Sequence, residues 1–151
     1  SPRFPLRFSQ SFPNVFPNTN LKHILIDDML KILITGGAGY IGSRLINQLS
    51  LTPGIHITSV DTYMFDQKVK KDTKNVTYLQ GDVRDQKLIL EQIKKNDVFI
   101  PLAAYVGAPL CKKFPKETQE INYEAVKFMC ENLSKDQLTL ILIFSFRLDF
   151  I

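Results

Sequence analysis

The stretch KILITGGAGYIGS, Lys31 to Ser43, restricts the fold more than any other part of this 151-residue chain. An apolar strand, a glycine-dense turn and the start of an amphipathic helix follow one another directly, which is the context a dinucleotide-binding turn requires. Gly36 and Gly37 let the backbone turn without a Cβ clash, Gly39 lets it approach a pyrophosphate, and Gly42 allows close helix–sheet packing. The helix starting near Tyr40 and Ile41 aims its free N–H groups and positive dipole end at the phosphates. Two glycine registers overlap: Gly37, Gly39 and Gly42 satisfy G-x-G-x-x-G, and Thr35, Gly36, Gly39 and Gly42 satisfy T-G-x-x-G-x-x-G. Asp61 ends the next predicted strand about 20 residues on, where its carboxylate can accept hydrogen bonds from the adenosine ribose. Alone it reads equally well as a strand-end turn residue. Beside the glycine loop it favours NAD over NADP, because it would repel a 2′-phosphate.

The length suits one domain of about 100 to 150 residues. A hydrophobic fraction of 44% and a charged fraction of 23% exclude bulk disorder. From Lys31 onward apolar runs alternate with helical patterns, the form of repeated strand-helix-strand units. Strands are predicted at Lys31 to Thr35, Ile55 to Val60, Val76 to Gln80, Val98 to Leu102 and Leu138 to Phe144. Helices are predicted at Tyr40 to Leu49, Gln86 to Lys94 and Glu117 to Leu133, the last with Ile121, Ala125, Phe128 and Met129 on one face. The fold class is therefore α/β, a Rossmann-like doubly wound parallel sheet of about five strands. The lysine-rich stretch Thr62 to Asn75 reads as a solvated loop or short helix.

Residues 1–28 form an expected extraneous tail. The first 20 hold four of the eight prolines and no acid, so a flexible leader or a transit peptide both match, and Met29 reads as the natural start. Cys111 and Cys130 lack metal-ligand spacing and read as free thiols of a reducing, cytoplasmic compartment; no metal site is expected. No apolar run approaches the roughly 18 to 20 residues needed to span a bilayer. The net charge of +4 and the lysines at Lys68 to Lys74 fall short of a nucleic-acid signature.

From Met29 to Ser145 the chain resembles the N-terminal, NAD-binding part of the extended short-chain dehydrogenase/reductase family, the NAD-dependent epimerases and dehydratases of nucleotide sugars. The resemblance rests on TGGAGYIG, Asp61, GDVRD at Gly81 to Asp85, LAA at Leu102 to Ala104, and the helix around Asn122. It implies that Asp82 accepts from the adenine amine and Val83 covers a ring face, while Asp85 can cap the next helix. Leu102, Ala103 and Ala104 would leave room for the central phosphates and ribose at the sheet's switch point. Asn122 and Ser145 correspond to residues that family members place by the cofactor, although a helical Asn serves as often in packing or capping.

The same resemblance exposes departures. The family's catalytic Tyr-x-x-x-Lys pair lies on the helix after the fifth strand, whereas Tyr123 and Lys127 precede that strand and read as surface neighbours. Arg147 stands where the catalytic hydroxyl is expected, so no catalytic residue is assigned. The end of the chain, 146–151, reads as foreign to a truncated or frame-shifted copy. Left unpaired, the apolar strand LTLILIF would then be an aggregation-prone edge. The leading expectation is the NAD-binding portion of a nucleotide-sugar epimerase or dehydratase, inactive alone. The complete enzyme would take a nucleotide sugar and could pair as a homodimer. The alternative is a non-catalytic dinucleotide-binding module or sensor.

Overall fold

The computed structural model describes residues 29–65 and 68–140. Its first strand explains the rest. In β1 (Leu30–Thr35) side chains alternate across the sheet, and Ile32 and Ile34 on one side and Leu33 on the other are all buried, so both faces are covered. Ile32 and Ile34 join Ile46, Ile57, Val76 and Ile100 on one face; Leu33 joins Val60, Phe99, Ile89, Ile93 and Met129 on the other.

The remaining strands are β2 (Ile55–Asp61), β3 (Val76–Gln80), β4 (Val98–Pro101) and β5 (Leu138–Thr139). All strand pairs are parallel, in the spatial order β3-β2-β1-β4-β5. The chain thus reverses its direction of winding between β1 and β4, and a crevice opens where their carboxyl ends diverge. The predicted fifth strand is seen as Leu138–Thr139; positions 141–144, like residues 1–28 and 145–151, lie outside the described residues.

Helix α1 (Tyr40–Leu49) covers one face. Helix α2 (Gln86–Ile93) covers the other, capped by Asp85, whose side chain accepts from the Leu88 N–H at 3.0 Å. The predicted helix from Glu117 to Leu133 is present as one uninterrupted helical run that starts two residues earlier, ends at Glu131 and contains a π-helical turn. The structure has α3 (Ala108–Lys113), α4 (Pro115–Gln119), one π-helical turn (Glu120–Glu124) and α5 (Ala125–Glu131). Pro109 and Pro115 sit in the first turns of α3 and α4, where a missing N–H costs nothing. The buried stripe nevertheless follows the expected spacing, with Ile121, Ala125 and Met129 in the core and Phe128 half-buried. No helix forms among the described residues of 62–75, and Lys68, Lys70, Lys71 and Lys74 are exposed.

Candidate functional site

The crevice is a cleft of about 360 Å³, within the general range for ligand sites of roughly 300–1,000 Å³. Four strand ends supply its walls. Gly36 and Gly39 follow β1; Val60 and Asp61 end β2 and Thr62 follows it; Gly81, Asp82, Val83 and Arg84 follow β3; Leu102, Ala103, Ala104 and Tyr105 follow β4. Met64, Phe65 and Ile121 complete it.

The glycines divide into two kinds. Gly36 has φ +76°, and a Cβ there would lie 2.5 Å from the Ala103 nitrogen, so the loop presses directly on the end of β4. A Cβ at Gly37 would strike the Ser59 hydroxyl and Ile46, and one at Gly42 would strike the Gly36 carbonyl oxygen. Gly37 and Gly42 therefore close the packing of the loop on its surroundings and do not line the cleft. Gly39 differs: a Cβ would meet only the Gly36 oxygen, at 3.2 Å, and the residue faces open cleft as the N-cap of α1. The first N–H groups of α1, on Tyr40, Ile41 and Gly42, have no acceptor within a helix. The side chains of Tyr40 and Ile41 point away and are exposed, with the Arg44 guanidinium 5.7 Å above the Tyr40 ring.

Asp61 ties the two loops together. Its Oδ2 accepts from the Ala38 N–H and its Oδ1 from the Tyr63 N–H, both at 2.9 Å. These two donors use about half of a carboxylate's four acceptor positions. Tyr63 has φ +55°, and burial, followed by the Asp61 charge, pushes its phenol above the usual range.

Asp82 is held by its near neighbour. Arg84 donates from its backbone N–H at 2.8 Å, from Nε at 3.0 and 3.1 Å, and from Nη2 at 2.6 Å. Hydrogen bonding from the Arg84 side chain holds the Asp82 carboxyl below its ordinary range, against the opposing effect of burial. Arg84 also donates through Nη1 to Glu120 in the π-helical turn, at 3.0 Å. Arg84 and Glu120 carry no sequence signal of their own for this role, although Arg84 stands inside the GDVRD motif. Tyr105, Ile121 and the Thr62 to Phe65 segment reach the cleft only through the tertiary fold.

Asn122 is exposed and lies outside the cleft lining. Its amide accepts from the Tyr105 N–H and donates to the Tyr105 carbonyl, both at 2.8 Å, so it pins the loop that leaves β4. Tyr123 is exposed, and Lys127 approaches Glu131 at 4.0 Å; neither lines the cleft. Ser145 lies outside the described residues. Among the described residues no group of His, Cys, Asp and Glu could hold a metal ion, and no helix is long and apolar enough to cross a membrane.

The sequence between residues 32 and 145 matches the family model for the NAD dependent epimerase/dehydratase family. The chain belongs to that family. It is 31% identical over 99 residues to a UDP-N-acetyl-alpha-D-glucosaminuronate decarboxylase of Bacillus cytotoxicus, covering 64% of this chain and 30% of the relative. It is 32% identical over 95 residues to a UDP-glucose 4-epimerase of Lactobacillus helveticus, covering 62% of this chain and 28% of the relative. The chain thus spans less than a third of the length of these curated relatives. Among solved structures, the enzyme WbmH of Bordetella bronchiseptica, in complex with NAD+, matches with a TM-score of 0.58 and 25% identity, over 69% of this chain and 35% of that one. The epimerase Mth375 of Methanothermobacter thermautotrophicus matches with a TM-score of 0.66 over 76% of this chain and 35% of its own, at 21% identity, which speaks for the fold alone.

Proposed function

We propose that this chain is the NAD-binding portion of an enzyme that carries out hydride-transfer chemistry on a nucleotide sugar. The observation that carries the reading is the convergence of Gly36, Gly39, Asp61, Asp82, Val83 and Leu102 to Ala104 on one cleft at the switch point of a parallel sheet. The chemistry of the donors and acceptors suits a dinucleotide. Gly39, on the cleft wall without a side chain, lets a diphosphate approach its backbone beside the free N–H groups and positive end of α1. Asp61 keeps about two acceptor positions for the two ribose hydroxyls, while Ala38 and Tyr63 fix its plane. Val83 offers an apolar surface to one face of the adenine, and Asp82 an acceptor to its amine. The small side chains of Ala103 and Ala104 keep the middle of the cleft wide.

Bound there, NAD would supply the hydride acceptor; the chain's own share is binding and orientation. In this family, sugar-binding and proton-transferring groups would come from the remainder of the enzyme, and the nucleotide sugar is the substrate class we assign. The test is a calorimetric titration of the folded chain with NAD and NADP. NAD should bind and NADP should bind at least about tenfold more weakly, since Asp61 meets the 2′-phosphate as a like charge. Equal or tighter binding of NADP would overturn the assignment of Asp61.

A further inference from the structure

Among the described residues Arg84 is the one guanidinium on the cleft wall, and its side chain donates to the carboxylates of Asp82 and Glu120. Its fork closes on Asp82, and its remaining arm reaches across to Glu120. We propose that Arg84 is a positioning residue for base selection: it fixes the Asp82 carboxylate so that the site takes a 6-amino purine and refuses a 6-oxo purine. The inference rests on the dinucleotide reading above and deepens it.

Asp82 has few acceptor positions to spare. A carboxylate offers about four. The Arg84 backbone N–H, Nε and Nη2 supply three donors to Asp82, which leaves room for about one more. Adenine presents one such donor at its edge, the amine, beside an N1 that only accepts. Hypoxanthine presents the reverse, a carbonyl oxygen beside an N1–H donor. Held in one plane by the fork, Asp82 can meet the amine but cannot shift to reach an N1–H. It would instead confront the carbonyl oxygen as acceptor against acceptor. The hydrogen bonding that lowers the Asp82 pKa also keeps the group an acceptor only, with no proton to offer an oxo group. Glu120 matters for the same reason, because it holds the guanidinium away from a donor role toward the base. A lysine could supply charge but not the planar fork.

The experiment titrates the 151-residue chain and its variants with NAD and with nicotinamide hypoxanthine dinucleotide, with melting curves recorded alongside. The wild-type chain should prefer NAD by about tenfold, the worth of one hydrogen bond to a charged group. Arg84→Gln should cut that preference below about threefold, since a released Asp82 can turn to an N1–H. Asp82→Asn should abolish the preference, because a carboxamide both donates and accepts. Arg84→Lys, which keeps the charge, should fall between wild type and Arg84→Gln, and it decides the matter if Arg84→Gln melts early. A purely structural role would weaken both dinucleotides equally. Full preference retained in Arg84→Lys or Arg84→Gln would overturn the proposal while the dinucleotide reading stands. NAD binding without any wild-type preference would do the same. A folded wild-type chain that binds neither compound would overturn the reading of the cleft and the role of Arg84 together.

Discussion

Single atoms decide how the glycine loop can change. Gly42→Ala forces a methyl group into the Gly36 carbonyl oxygen, whereas the Cβ of Gly39→Ala meets that same oxygen alone, at 3.2 Å, and needs only a small shift. Gly42→Ala should therefore cost about 1–3 kcal/mol in urea unfolding, and Gly39→Ala should cost less in the same measurement. The motif made these residues legible as a group, because glycines at fixed spacing after a strand admit few conformations. It did not tell which of them face a ligand, since that depends on Ser59, Ile46 and Ala103, brought up from elsewhere in the chain. Tyr63 carried no sequence signal at all. Its hydroxyl is buried without a hydrogen-bond partner among the described residues. Tyr63→Phe should leave stability unchanged or raise it by up to about 1 kcal/mol, because it removes a desolvated polar group. Melting curves of the two proteins check this.

At the scale of elements, strands and helices that alternate apolar residues at a clean period were legible, and those shaped by their surroundings were not. The strand Val76–Gln80 and the helix Tyr40–Leu49 have the predicted limits. The helix predicted from Glu117 to Leu133 is there as the continuous run α4, π-helical turn and α5, while the short helix α3 before it and the π-helical turn within it carried no sequence signal. Pro115 follows the one break, between α3 and α4, and the wider turn lies where Asn122 reaches the Tyr105 backbone and Glu120 meets Arg84. The turn after β3 joins this layer through Asp82 and Arg84, and its pH response follows from the lowered Asp82 pKa. A carboxyl lowered in the folded state stabilises fully above its unfolded value of about 3.9, and that stabilisation fades as the pH drops through the folded value. The gap between wild type and Asp82→Asn in urea midpoint should thus be present at about pH 5 and shrink below about pH 4. With half-exposed partners it should amount to about 0.2–1 kcal/mol. Asp85→Ala removes the cap of α2 and should cost about 1 kcal/mol at neutral pH.

For the molecule as a whole, the order β3-β2-β1-β4-β5 gathers strand ends from across the described chain on one crevice. Its fold class was readable because strand-like runs rich in apolar residues alternate with crossovers long enough for a helix. The cleft itself was only half readable: motif positions marked Gly36, Asp61, Asp82 and Leu102, while Met64, Tyr105 and Ile121 come to it by topology. A ligand bound across those strand ends should stabilise the fold as a unit. NAD at a hundredfold excess over its Kd should add about 2.7 kcal/mol, or about 5–10 °C in Tm for a domain of this size. The most direct measurement is calorimetric titration of NAD into the wild-type chain and Gly39→Ala, each shown by its melting curve to be folded. The account predicts saturable binding to the wild type and at least about tenfold weaker binding to the variant. Equal affinity in the two proteins, or no heat from the folded wild type, would contradict it.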